Sequence, residues 1–161
     1  QLNNKENTKM AYYNVSSTST RAVLQISTAS ITLAANGYTV GAVQDITVNN
    51  SAGTFSWTQL DNQSQLTVAT PATNSVAANI VVDTETFFAT KNGVPGIFPL
   101  SNDKTLVYFR VYFNGTATGA KYLSGSGYLT NLAPKVSPTT PVWITPITIS
   151  VDGDLTAGTA A

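Results

Sequence analysis

The chain has no cysteine and no histidine, and only 10% of its 161 residues carry charge. Without cysteine there is no disulfide staple, and at this length none is needed: a single domain of this size buries roughly 70% of its unfolded surface. The redox compartment stays open, since secreted domains of this size fold without disulfides too. Without histidine and cysteine, neither a Ser-His-Asp nor a Cys-His arrangement can be built, and the usual zinc ligands are missing. Lys plus Arg number 8 and Asp plus Glu number 8. The basic excess of a phosphate-binding surface is therefore absent. Solubility rests on Ser, Thr, Asn and Gln, and a formal net charge of zero leaves no electrostatic barrier between copies. No run approaches the roughly 20 apolar residues of a membrane helix, and no signal-peptide core is present. The sequence opens on Gln1, as it would after removal of a leader or with an encoded start further upstream.

What the chain does have is KTLVYFRVYF, Lys104 to Phe113, followed by Asn114-Gly115. Read with period two, Val107, Phe109, Val111 and Phe113 share one apolar face. Leu106, Tyr108, Arg110 and Tyr112 share the other. A helical reading would put bulk on every side, and Val, Phe and Tyr suit a pleated surface better. At about 3.3 Å per residue the segment spans roughly 33 Å, long for a small domain. One face is expected in the core. The second, carrying Tyr hydroxyls and one Arg, is expected to meet another subunit or a wet interior.

Around it the chain reads as strands. Residues 1–20 form a polar arm with no periodicity. Arg21 to Ile26 reads as a strand with Ala22, Leu24 and Ile26 inward, and Ile31 to Ala34 as a short one before Asn36-Gly37. Thr39 to Val48 alternates, with Gly41 a kink or bulge. Thr54 to Leu60 places Phe55, Trp57 and Gln59 on one face; Gln65 to Thr70 and Ser75 to Asp83 follow. Asp83 to Ala89, acidic at its start, is the expected short helix. Residues 91–102 hold Gly93, Pro95, Gly96 and Pro99 and read as an excursion loop carrying Ile97 and Phe98. Ala120 to Leu132 is a strand interrupted by Gly125 and Gly127. Val142 to Val151 closes the fold, with Trp143, Ile147, Ile149 and Val151 on one face and Pro146 demanding an edge or a bulge. Residues 152–161 form a small-residue tail. The expected class is all-β: a sandwich or partly closed barrel of about eight strands over 21–151, with one short helix and extended arms at both ends.

Candidates for chemistry are few. Asp83 and Glu85 could share a face as a carboxylate pair, but acids at a helix start need no such role. Asp152-Gly153-Asp154 offers oxygens for a cation, without EF-hand spacing, and reads as a turn. Gly125-Ser126-Gly127 lacks the Lys-Ser/Thr of a phosphate loop. The sequons at Asn14, Asn49, Asn62 and Asn114 are what an Asn/Ser/Thr-rich chain produces by chance. Trp57 and Trp143 could form a sugar-stacking platform, but such aromatics more often sit in the core.

The order of pieces resembles the major tail tube proteins of long-tailed bacteriophages. The resemblance rests on an opening strand RAVLQIS leading into VGAVQDITVNNSAGTFSWTQLDN, which closes on Thr58 and Asp61. It continues in the strand ending at Asp83 before Phe87 and Phe88, the long VYFRVYFNG, KYLSGSGYLTNLAPKV, and the closing WITPITISVDGDLTAG. It covers most of Arg21 to Gly158. The chain departs from the family in its scarcity of charge, because the family commonly presents acids to the lumen. The resemblance implies rings, usually of six, whose inner sheets join edge to edge around a channel that DNA traverses without base-specific contact. Rings would stack through the 1–20 arm, the 91–102 loop and the 152–161 tail.

The expectation is thus a structural, self-assembling β-protein of a virion tail, with no enzymatic role, no cofactor, no metal and no membrane. Its partner is itself, and then sheath, tip or terminator proteins. Tyr12, Tyr13, Ile97, Phe98, Tyr108, Arg110 and Tyr112 are the candidate assembly residues. A secreted filament or surface-layer subunit, with Tyr12 to Ile26 donated to a neighbour, is the rival reading. A monomeric carbohydrate-binding module is the third.

Overall fold

The structure, a computed structural model, describes Tyr13 and residues 21–41, 43–60 and 62–161. Its strands are β1 (Val23–Ser27), β2 (Tyr38–Thr39), β3 (Val43–Ser51), β4 (Thr54–Gln59), β5 (Asn62–Ala69), β6 (Thr73–Val81), β7 (Leu106–Tyr112), β8 (Lys121–Thr130), β9 (Lys135–Ser137), β10 (Thr140–Val151) and β11 (Thr156–Thr159). One nine-stranded antiparallel sheet runs β2-β1-β7-β8-β10-β6-β3, with β11 on the free part of β8 and β9 on the start of β10. Strands β4 and β5 make a separate two-stranded sheet. The all-β expectation holds, and the sheet is open rather than closed into a barrel.

β2 and β3 lie at opposite ends of that sheet yet are joined by residues 40–42 alone. So short a link spans at most about 14 Å, so the sheet must curl until its ends approach and its inner face wraps one core. Gly41, read from sequence as a kink within one strand, marks the place where the chain leaves one end of the sheet for the other. Within the core, Val107, Phe109 and Val111 of β7 meet Leu24 and Ile26 of β1, Val76, Ala78 and Ile80 of β6, and Ile147 and Ile149 of β10. Burial of this apolar set, at roughly 25 cal/mol per Å², supplies the main driving force.

The second face of β7 corrects an expectation. Arg110 and Tyr112 are buried by the chain itself. The Arg110 guanidinium donates to the carbonyls of Ile31 and Thr32 and to the Tyr112 hydroxyl, and it lies against the Tyr122 ring. Ile31 to Ala34, expected as a strand, is instead the cover for this face: Ile31 is buried, and Ala34–Asn36 is a single 3-10 turn. The Ile31 and Thr32 carbonyls accept from Arg110, that of Leu33 from the Asn36 N–H and that of Ala34 from the Gln25 amide, so these carbonyls bond locally and to side chains rather than in a ladder.

The remaining deviations are local. Asp83 caps a one-turn helical segment, Thr84–Phe88, accepting from the Thr86 N–H and hydroxyl, in agreement with the expected short helix. The 91–102 loop tightens into a Lys91–Val94 turn and a helix, α1 (Ile97–Asn102). Pro99 fits there because it stands in the first turn, where its missing N–H is not needed. Residues 152–161 are not a detached tail: β11 pairs with Lys121–Ser124 of β8, and Ala160 is buried. Pro146 sits on β10 where β9 has ended at Ile144 and β8 begins only at Thr148, so that edge is open as the proline requires. Opposite, Asn79 faces a bulge in β3, whose Asp45 carboxylate accepts from the Asn79 N–H and amide.

Candidate assembly surface

β3 does not end at the sheet. It bends at Ala52-Gly53 and continues as β4, and the returning β5 bends at residues 70–72 into β6. Thr70 donates to the Gly53 carbonyl at 2.8 Å, holding the strands together through the bend. A Cβ on Gly53 would lie 2.6 Å from the Thr70 hydroxyl, so a larger residue there would have to turn the Thr70 side chain aside. The distal half is a projecting ribbon about 20 Å long. Every residue of β4 is exposed.

Register gives the ribbon two unlike faces. Phe55 pairs with Val68 and Trp57 with Leu66, while Thr54, Ser56 and Thr58 face Ala69, Thr67 and Gln65. The polar face is tied by a 2.9 Å Ser56–Thr67 hydroxyl pair. On the apolar face the Phe55 and Trp57 rings stack at 5.9 Å. Phe55 remains 59% exposed, Val68 50% and Trp57 37%. A two-stranded ribbon is marginally stable alone in water, and an apolar face left wet makes it more so. This surface fits a partner.

The ladders locate a second bare apolar set. The ribbon leaves the sheet at the Ser51/Thr73 end of β3–β6. β10 pairs with β6 from Ser150/Ser75 at that end to Ile144/Val81 at the far end, then runs on past the sheet to pair with β9. There Val136 and Val142 are exposed, and Trp143 is 52% exposed. The chain leaving β6 is anchored by the Val82 N–H to the Trp143 carbonyl at 2.8 Å. It then presents Phe88, which packs edge-on to buried Phe87 at 4.8 Å and lies 6.4 Å from Phe98 of α1. Both tryptophans, expected in the core, therefore stand outside it. Trp57 stands on the two-stranded ribbon and Trp143 on β10 of the large sheet, so they belong to different sheets.

The residues singled out from sequence divide sharply. Tyr13 is exposed and stacks on Phe113 at 5.7 Å, while Tyr12 lies outside the described residues. Phe98 is 47% exposed, but its neighbour Ile97 is fully buried. The helix turns Ile97 and Leu100 inward, so Ile97 belongs to the core and not to a contact between copies. Tyr108 is half-buried; Arg110 and Tyr112 are internal. Sequence reasoning placed Phe55 and Trp57 on one face but gave them no assembly role. The available signal was the lack of any charged residue in β4 and β5 beside a stacked aromatic pair.

Electrostatics contribute little. The Lys91–Glu85 pair is 3.9 Å apart and exposed, a geometry worth at most about 1 kcal/mol. Asp152, Asp154 and Arg110 line a polar cleft of about 380 Å³. Gly153, at a φ of 91°, makes the turn that carries β10 into β11. Among the described residues no group of three or more His, Cys, Asp or Glu could hold a metal.

No family model matches the chain, and no curated protein matches it in sequence. Solved structures do. A chain in the tail of an empty gene transfer agent particle, refined helically with C6 symmetry, matches at a TM-score of 0.55 and 14% identity, over 83% of this chain and 92% of that one. A chain of the native gene transfer agent virion matches at 0.56 and 15%, over 84% and 95%. At such identity the likeness establishes the fold alone: this chain folds like chains of gene transfer agent particles, one of them in a tail refined with C6 symmetry.

Proposed function

We propose that the chain is a structural subunit of a phage-type tail tube, assembling into rings that stack around a channel through which DNA passes. The β4–β5 ribbon carries this reading: a permanent arm with an apolar face that the chain's own fold leaves bare. Transient ligands cannot keep such a face covered, whereas a polymer of the same chain covers it in every copy but the last. The outer edge of β3 adds a lateral route. Among the described residues it pairs only with β6, so its outward N–H and C=O groups are available to a neighbour's edge within a ring. The low charge and the fold shared with a sixfold tail support the same arrangement. Sheath, tip or terminator proteins are the further partners in this reading, and the virion tail is its location.

The test is sedimentation velocity with negative-stain electron microscopy over a concentration series. Hollow tubes with a regular ring repeat are expected above a critical concentration. Thin solid fibres would move the reading to a donor-strand filament, and monomers at every concentration would overturn self-assembly.

A further inference from the structure

We propose that Asn92-Gly93 is a site of spontaneous covalent modification, where the Asn92 amide is converted to a carboxylate and part of the population acquires an isoaspartyl link. Asn-Gly pairs occur at 36–37, 92–93 and 114–115. In such a pair the glycine nitrogen can attack the asparagine side-chain carbonyl, because no Cβ crowds its approach. The new C–N bond closes a succinimide ring, and the glycine proton leaves with the amide nitrogen as ammonia. Water then opens one of the two ring carbonyls, giving aspartate or its β-linked isomer. Water enters, ammonia leaves and no electrons change hands, so the step needs no co-reactant besides solvent.

The fold protects two of the pairs. Gly115 is buried and its N–H donates to the Arg21 carbonyl at 3.0 Å, which occupies the attacking nitrogen. The Asn36 amide donates to the Thr32 hydroxyl at 3.1 Å, and Gly37 is buried against the Gln25 side chain. The next most reactive sequence, Asn-Ser, occurs at 50–51 and 74–75, and both copies lie in the β3–β6 ladder.

Asn92-Gly93 has neither protection. The pair forms the centre of a turn in which the Lys91 and Val94 N–H groups each donate to the other's carbonyl at 2.9 Å. With φ of 53° at Asn92 and 77° at Gly93, it is a type I′ turn. Both residues are exposed, and the Gly93 N–H has no acceptor among the described residues. Nothing lies within 4 Å of where a Cβ on Gly93 would stand. The Lys91–Val94 bridge stands alone, outside every ladder. The turn therefore opens without unfolding the sheet, and opening gives Asn92 the backbone freedom that ring closure requires.

The two products act differently. Aspartate keeps the turn, since it tolerates the left-handed conformation, and adds one negative charge to a chain whose 8 bases balance 8 acids. Copies that met no electrostatic barrier then repel. The β-linked isomer adds a carbon to the backbone of a two-residue turn that has no slack for it. The strain falls on Val94, which is buried in the core.

The full chain, native and in urea, is held in mildly alkaline buffer, digested and mapped by mass spectrometry, with protein isoaspartyl methyltransferase as the probe for the β-linked product. In the native protein Asn92 should react about tenfold faster than Asn36 or Asn114, and in urea the three rates should converge to within about twofold. Asn36 or Asn114 reacting as fast as Asn92 in the native protein, or one ranking in both conditions, would overturn the proposal. Gly93→Ala places a methyl beside the attacking nitrogen and should slow the reaction at Asn92 alone. An unchanged rate there would mean direct hydrolysis of the amide and would overturn the ring-closure route.

Discussion

The guanidinium carbon of Arg110 sits 4.1 Å from the ring centroid of Tyr122, inside the fold. Arg110 fixes segment 30–33 over β7 by donating to the Ile31 and Thr32 carbonyls, and it has no carboxylate partner among the described residues. A desolvated cation–π contact is worth about 2 kcal/mol, and hydrogen bonds from a charged donor about 1.5–3 kcal/mol each. Arg110→Ala should therefore lower the unfolding free energy by about 3 kcal/mol in urea denaturation. Arg110→Lys should recover little, because an ammonium cannot stack on the ring and fork to both carbonyls. Full rescue by lysine would contradict this account.

The ribbon variants should behave oppositely. Trp57→Ser and Phe55→Ser remove only contacts within the ribbon, to each other and to Leu66 and Val68, and none in the core, so stability should fall by less than about 1 kcal/mol each. Assembly should suffer instead. Loss of an aromatic anchor worth about 2 kcal/mol raises the critical concentration about 30-fold. Light scattering across a dilution series reads this shift, and an unchanged threshold in the double variant would remove the ribbon from the interface.

Adjacent residues in α1 separate core from surface. Ile97→Ala should cost about 2–5 kcal/mol, as truncation of a buried aliphatic chain does. Phe98→Ala, one step along the same helix, should cost under about 1 kcal/mol. Equal losses in chemical denaturation would mean that α1 is not seated as described.

Strands β1, β6, β7 and β10 were legible in the sequence because a core on one side imposes period two on them, and Leu24, Ile80, Phe109 and Ile149 all landed where alternation put them. Alternation does not say what covers an apolar face. Phe55 and Trp57 alternate as cleanly as Phe109 and Val111, yet one pair waits for a partner and the other is the core. Arg110 and Tyr112 looked like a wet face because their polar tips suit water. Their burial depends on carbonyls contributed by a segment nearly eighty residues upstream, which no local pattern encodes. α1 was hidden because six residues are too few to show a helical period, and Pro99 reads as a breaker anywhere but in a first turn.

Gly127 tests the packing of the sheet. A Cβ there would sit 2.1 Å from the Ser150 carbonyl oxygen across the β8–β10 ladder, closer than any real contact. Gly127→Ala should force the two strands apart and cost about 1–3 kcal/mol. The loss should appear as faster amide exchange at Tyr128 and Leu129. Gly93→Ala, where no atom lies within 4 Å of the added carbon but φ is 77°, should cost only the left-handed strain, about 1 kcal/mol.

Assembly through uncharged surfaces should respond weakly to sodium chloride and strongly to sulfate. Screening has little to act on in β4 and β5, which carry no charged residue, whereas excluded salts strengthen apolar burial. Turbidity at fixed protein concentration should rise with ammonium sulfate and change less than about twofold from 50 to 500 mM sodium chloride. Dissolution by sodium chloride alone would point to an ionic interface instead.

The most direct measurement of the central claim is an electron cryo-microscopy average of the assembled protein viewed down its axis. The account predicts a ring of six subunits around an open channel, with the apolar face of each ribbon covered by a neighbouring copy. A solid cross-section without a lumen, or subunits joined in closed pairs, would contradict it.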